Sequence, residues 1–234
     1  AGSLVQQNAE ILSGIVLSQL VNHGAPVLAC TLPSVMDMRC ANIACGTVEL
    51  GLMCAAMAQI YRRYEIPYVG TGGIADSKIP DEQAAYEKAL TALIAAQAGS
   101  NLIHLSSGML ESILTTSYEQ VVIDNEILGM VLRAARGIGV TPETLAVDVI
   151  KRVGPKGHFL AQRHTMRHLR EEHYITAFTD RNTRRAWEDK GRKDVIKRAR
   201  EKVEEILSSH KPEPLEKSVQ EKLEEIRKRA QKGD

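Results

Sequence analysis

Aromatic residues are scarce in this chain: 4% of 234 positions, with one Trp and two Phe. The shortage disfavours an all-β fold, whose strands draw on aromatic and β-branched side chains. It also leaves little material for an aromatic cage or a base-stacking platform. An excess of one charge is missing too. Lys and Arg number 30 and Asp and Glu 29, a net charge of +1, so no overall basic field points to nucleic acid. The four Cys, at 30, 40, 45 and 54, contain no CxxC pair. Zinc-finger spacing is therefore absent, and a disulfide framework is not expected in a chain of this length with so few. They read as reduced, mostly buried thiols of a cytoplasmic protein. No secretory signal pattern opens the sequence, and no apolar run is long enough to span a membrane.

What is present alternates. Residues 4–22 place Leu4, Ile11, Ile15 and Leu20 at helical spacing, with Gly24 as a C-cap. An apolar strand follows at 27–32, then a well-buried helix at 48–64 and a strand at 66–69. Pro80, with Asp81 and Glu82 behind it, starts a helix to 97. Residues 101–106, NLIHLS, make a third strand. Residues 118–124 fit a short strand or a turn of helix; 126–135 read as helix, and Thr141 caps another to 152. The order α-β-α-β-α-β-α implies parallel strands with crossover helices. Three strands are too few for an eight-stranded barrel, and the pattern begins on a helix. The expectation is part of a larger α/β domain, or a half-barrel completed by association, as in a homo-oligomer. We divide the chain into βα units at 1–153 and a charged helical extension at 154–234, with a last amphipathic helix at 215–231.

The chemistry concentrates where strands end. Residues 66–87, IPYVGTGGIADSKIPDEQAAYE, run from a strand through Gly70-Thr71-Gly72-Gly73 and Asp76-Ser77-Lys78 into a helix. That is how α/β proteins build a ligand site at a strand's carboxyl end. Glycine permits positive φ and close approach of backbone to ligand. Against this stands an ordinary turn, with Asp76 as a cap and Lys78 solvated. The loop has neither GxGxxG nor a GK[ST] phosphate signature. His104 closes the third strand, either facing a barrel mouth or satisfied in the core. Asp37 and Glu111 occupy the equivalent loops after the first and third strands. His158, His164, His168 and His173 form a separate group. His164 and His168 share a helix face, a possible metal pair, but HExxH is missing and solvated or interface histidines are the favoured reading. The alternating charges beyond 179 read as a solvated helix face or a protein-docking surface.

Several motifs together resemble the trimethylamine methyltransferase family: AGSLVQQNAEILSGIVLSQLVNHGAPV, MDMR, GTGGIADSKIPDEQAAYEKAL, LIHLSSGMLES, SYEQVVIDNEILGM and GHFLAQRHTMRHLREE. They occur in order over nearly the whole chain, which resembles the carboxyl-terminal half of family members about twice as long. The resemblance implies a TIM-barrel fold, here the C-terminal part of the barrel followed by the helical extension. It implies transfer of a methyl group from a methylated amine to Co(I) of a corrinoid, the cobalamin-type cofactor being carried by a partner protein and not bound directly. In the trimethylamine branch, pyrrolysine sits in this glycine segment, near Gly73. Only ordinary residues stand here, so the match resembles the pyrrolysine-free branch, which includes enzymes acting on quaternary amines such as glycine betaine. Asp76, His104 and Glu111 are then the candidate catalytic residues, with Asp76 or Glu111 toward the ammonium and His104 toward a substrate carboxylate. Gly72, Gly73, Tyr68, Tyr118 and Asp37 are the candidate substrate contacts, and no metal site is assigned. A leucine at position 73 is expected to block activity and leave the fold largely intact. The alternative function is a non-catalytic half-barrel acting as a binding or assembly module.

Overall fold

The computed structural model describes residues 1–232. Helix α1 (Gly2–Val21) leads into β1 (Ala29–Cys30) and a short hairpin, β2 (Val35–Asp37) with β3 (Asn42–Ala44). Then come α2 (Val48–Arg63), β4 (Tyr68–Thr71), α3 (Glu82–Gln97) and β5 (Leu102–His104). A second hairpin pairs β6 (Met109–Leu110) with β7 (Thr115–Thr116), and α4 (Tyr118–Arg136) follows. Helices α5 (Pro142–Leu145) and α6 (Val147–Val153) end the first part, and the extension holds α7 (Arg163–Glu172), α8 (Arg184–Asp189), α9 (Val195–Ser209) and α10 (Lys217–Lys232). No described helix is long and apolar enough to cross a membrane.

Side-chain caps set the helix starts. The Thr47 hydroxyl accepts from Leu50 N, the Asp81 carboxylate from Ala84 N, and the Ser117 hydroxyl from Gln120 N. The helix expected from Pro80 therefore begins at Glu82, with Asp81 outside it as the cap. Residues 118–124 prove to be the first turns of one long α4. Its internal polar residues, Gln120, Asp124 and Glu126, are buried and partnered within the protein, so they do not break the helix. The helix expected over 142–152 is divided at Ala146, which takes a left-handed φ of 51°.

Strands β1, β4 and β5 form a parallel sheet in chain order. Ala29 pairs with Tyr68, and Thr71 pairs with His104. Helices α2, α3 and α4 lie side by side, α2 against α3 and α3 against α4. The α2 core joins Met57, Ala58 and Tyr61 to Ala29 and Tyr68 of the sheet. This arrangement is compatible with one sector of an α/β barrel, but the sheet is open and does not close on itself. Leu28 and Leu102, on the two outer strands or beside them, stay 65% and 56% exposed. The total accessible surface is 16565 Å², where a compact chain of 25.8 kDa exposes about 10,500 Å².

The extension shares a core with the βα units. Ala199 of α9 is fully buried against Ala92, Ile123, Ile127 and Val131, with Phe178 and Ile196 beside it. Glu126 of α4 fixes this contact. Its carboxylate accepts from Ala177 N at 3.1 Å, Phe178 N at 3.2 Å, and Thr179 N and Oγ1 at 2.9 Å each. Burial pushes the carboxyl up, and the donors of Thr179, Ala177 and Phe178 more than reverse it, leaving Glu126 below its ordinary value. A carboxylate depressed in the folded state contributes stability above its unfolded pKa of about 4.3 and loses it as pH falls through the folded value. Acidification below about pH 4 is therefore expected to release 177–209 before the α2–β4 core opens. Hydrogen exchange across a pH series checks this, and Glu126→Gln should show the same release at neutral pH.

Candidate functional site

The carboxyl ends of β1, β4 and β5 are tied by one polar chain. Thr71 Oγ1 donates to the Thr31 carbonyl at 2.7 Å. Its single proton is then spent, so His104 Nε2, 2.8 Å away, must carry the proton and donate to Thr71. That leaves Nδ1 as an acceptor toward the Cys30 thiol at 3.3 Å. Burial pulls His104 below its ordinary value and pushes Cys30 up, so imidazole and thiol are both neutral. His104 is thus a neutral ring with its tautomer set by the neighbouring strand.

The loop after β4 lies on helix α3. Gly73 has φ +76°, and a Cβ there would fall 2.9 Å from Ser106 Cα. At Gly72 it would meet the Thr91 carbonyl oxygen at 2.9 Å and Ala92 Cα at 3.0 Å. Both obstacles are backbone, so neither glycine accepts a side chain without movement of the chain. Both polar groups of Gly73 are taken by α3. Its N–H donates to Thr91 Oγ1 at 2.9 Å, and its carbonyl accepts from Lys88 Nζ at 2.5 Å. Lys88 also pairs with Asp124 of α4 at 3.0 Å, both side chains being 1% exposed. Asp124 accepts in turn from Gly108 N at 2.7 Å and Gln120 Nε2 at 2.8 Å. Burial pulls Lys88 down and lifts Asp124, each against the pull of the opposite charge.

Asp76 gathers the three loops. Its carboxylate accepts from Cys45 N at 2.8 Å and Gly46 N at 3.0 Å in the loop after β3. It also accepts from Ser112 Oγ at 2.6 Å in the turn between β6 and β7. Its own N–H donates to Glu87 Oε2 at 2.7 Å. Asp76 is thus a fastening between loops, with both oxygens committed. Lys78, expected beside it, reaches back to the Asp76 carbonyl at 2.8 Å.

Glu111 differs. It opens a left-handed turn in which Glu111, Ser112 and Ile113 have φ of 50°, 51° and 73°. Such backbone costs roughly 1–2 kcal/mol per non-glycine residue. Bonds from Glu111 N to the Ser77 carbonyl and from Ser112 N to the Ala75 carbonyl hold the turn against the glycine loop. The half-buried Glu111 carboxylate accepts no hydrogen bond among the described residues. It is the free anion at the strand ends.

The remaining expectations fare unevenly. Tyr68 does not present its ring to a ligand. It is 1% exposed, stacks on Tyr61 at 5.6 Å and 7°, and bonds Thr31 Oγ1 at 2.5 Å. The cause is the pleat: Tyr68 falls on the helix-facing side, in the α2 core. Tyr118 stands exposed at the first position of α4. Asp37 is clamped by Arg39, whose guanidinium holds the carboxyl down at about 2. His164 donates to the Glu143 carbonyl at 2.8 Å, and His168 lies 3.4 Å from Glu143 and Glu171. No three metal-ligating side chains come together among the described residues. Sequence reasoning missed Lys88, Thr91, Glu87 and Asp124. The one available signal was an acid inside the apolar run VVIDNEIL, where a solvated residue has no place.

Parallel strands in chain order, with polar groups and glycine turns at their carboxyl ends, define an α/β protein with a strand-end site. The chain belongs to the trimethylamine methyltransferase (MTTB) family, whose model matches residues 1–233. It is 44% identical over 226 residues to trimethylamine methyltransferase MttB of Desulfitobacterium hafniense DCB-2, covering 97% of this chain and 45% of that protein. Against MttB of Methanosarcina barkeri it is 41% identical over 233 residues, 100% of this chain and 47% of the relative. Against glycine betaine methyltransferase of Desulfitobacterium hafniense Y51 it is 37% identical over 224 residues, 96% of this chain and 47% of the relative. The chain spans about half the length of the curated relatives it matches.

The packing at Gly73 overturns the expectation that a leucine there spares the fold. Even Gly73→Ala meets backbone and a left-handed φ, and is expected to cost about 2 kcal/mol or more. Gly139→Ala, where a Cβ meets nothing within 4 Å, should stay within about 0.5 kcal/mol of the parent. Urea unfolding of the two variants checks the contrast.

Proposed function

We propose that this chain forms the glycine-loop half of the active site in an amine:corrinoid methyltransferase of TIM-barrel type. The observation that carries this is the family match from end to end, with the strand-end loops fixed as a ligand site requires. The donor is a methylated amine, and the acceptor substrate is the Co(I) of a corrinoid on a separate protein, which supplies the nucleophilic electron pair. The methyl carbon passes from nitrogen to cobalt, and the C–N electron pair stays on nitrogen, so a quaternary ammonium leaves as a neutral amine. Such a donor needs no acid or electrophile from the protein. It needs alignment and exclusion of water.

The residues support those two tasks. Glu111 supplies the free carboxylate toward the ammonium. His104, neutral and fixed, lines the strand ends with its one N–H already given to Thr71, so it shapes the wall there and leaves a donor's carboxylate to other groups. Gly73 favours the quaternary donor. No side chain projects from it, so an imine-bearing residue has no counterpart there. Identities of 44% with a trimethylamine enzyme and 37% with a betaine enzyme reflect a shared scaffold, and do not choose the donor.

The test is methyl transfer by the full-length protein to a Co(I) corrinoid carrier, followed by methyl-cobalt absorbance. Glycine betaine or another quaternary amine should be demethylated faster than trimethylamine. Glu111→Gln should lower kcat/KM about 10- to 100-fold, the loss of one charge-assisted contact. No methylation with any amine removes the proposal. The open sheet and the 16565 Å² of surface favour a second reading, an assembly module without its own catalysis. A chain that folds alone as a closed monomer by light scattering would count against it.

A further inference from the structure

Helices α3 and α4 meet behind the strand ends and share one ion pair there. Lys88 and Asp124 lie 3.0 Å apart, each 1% exposed. Each has a second engagement facing forward. Lys88 Nζ takes the Gly73 carbonyl at 2.5 Å, and Asp124 Oδ2 takes the Gly108 amide at 2.7 Å. Gly73 belongs to the loop after β4 and Gly108 to the loop after β5, and both have positive φ. One buried unit therefore holds a polar backbone group of each loop. We propose that Lys88 and Asp124 are positioning residues, setting the distance between the glycine loop and the loop that presents Glu111.

The choice of side chains supports this role. Packing α3 against α4 needs no charges, since well-packed apolar side chains hold two helices as well or better. Apolar side chains cannot give a buried carbonyl its donor and a buried amide its acceptor at once. Neutrality adds a second effect. An unpaired Lys88 cation behind Gly73 would oppose a cationic donor in front of it, and Asp124 cancels that field. Glu111 lies three residues beyond Gly108, so a shift of the Gly108 amide carries the free carboxylate with it.

The catalytic side of this proposal rests on the methyltransferase reading; the loop-holding side does not. The experiment uses the full-length protein with K88M/D124L, which removes both charges, and with D124N. The double variant orphans the Gly73 carbonyl and the Gly108 amide, so it should stay folded and melt roughly 5–15 °C below the parent. Its amide hydrogen exchange should quicken at least tenfold over 70–76 and 106–110 and stay unchanged in α2. Its kcat should fall 10- to 100-fold while KM moves less than threefold. D124N keeps an oxygen for the Gly108 amide and loses the charge facing Lys88, so exchange should rise more over 70–76 than over 106–110. Parental exchange in both loops, exchange raised evenly along the chain, or an unchanged kcat overturns the proposal. Should K88M/D124L fail to fold, D124N decides: equal exchange in the two loops overturns it. A parent protein that moves no methyl group refutes the proposed function, and the exchange pattern still decides whether the pair holds the loops.

Discussion

The glycine loop and the loop after β5 both hang on a buried ion pair between two helices. Lys88 and Asp124 are removed from water, and that desolvation costs several kcal/mol per charge before any gain. The pair persists because neither charge is left short of partners. Lys88 gives protons to Asp124 and the Gly73 carbonyl, and Asp124 accepts from Lys88, Gly108 and Gln120. A network of this kind is costly when half satisfied and rigid when complete. Loops anchored by it cannot drift separately, because a displaced Gly73 carbonyl or Gly108 amide would break the network.

A second fastening lies in front of the first. Asp76 draws Cys45, Gly46 and Ser112 onto one carboxylate, joining the loops after β3 and β4 to the β6–β7 turn. Between the two fastenings the chain turns through three consecutive left-handed residues at Glu111–Ile113. Strain of a few kcal/mol is sustained there by bonds from neighbouring loops. The result is an anion, Glu111, held in place by the rest of the site while its own oxygens stay free. Asp76 is nearer the glycines in sequence, yet both its oxygens are engaged, whereas the Glu111 carboxylate accepts no hydrogen bond among the described residues.

The α/β alternation was legible in the sequence because each strand and helix carries its own local signal. Apolar runs marked β1, β4 and β5, and Pro80 with Asp81 and Glu82 marked the start of α3 within two residues. The hairpins β2–β3 and β6–β7 were missed, since two or three residues per strand are too few for a period to show. Helix α4 was cut short in the reading because buried Asp124 looks like an exposed residue in a linear pattern. The glycine loop and the neighbourhood of His104 and Glu111 were found as strand-end features. The fastenings were not, because Lys88 meets Asp124 across 36 positions and Asp76 meets Ser112 across another 36. Such pairs exist only once the fold brings them together. Tyr68 was misassigned for a related reason: strand residues alternate sides, and the register decides which side meets the helices.

The same geometry explains why the site is fastened from behind and open in front. The accessible surface lies about 6,000 Å² above that of a compact chain of this mass. A standard interface covers about 800 Å² per partner, so an ordinary docking contact would leave most of this excess exposed. Part of it belongs to the extended helices α9 and α10, which are charged and suited to water. Exposed apolar side chains also stand on the outer strands or beside them at Leu28 and Leu102, on α1 at Leu17 and Leu20, and along 138–175 at Ile138, Val140 and Leu160. A cover over the outer strands would bury Leu28 and Leu102. The fastenings at Lys88–Asp124 and Asp76 make the loops rigid without that cover, since every partner they use lies within this chain. What the cover would supply is therefore the far wall of the site and the exclusion of water, while the placement of Glu111 and the glycine loop is already complete.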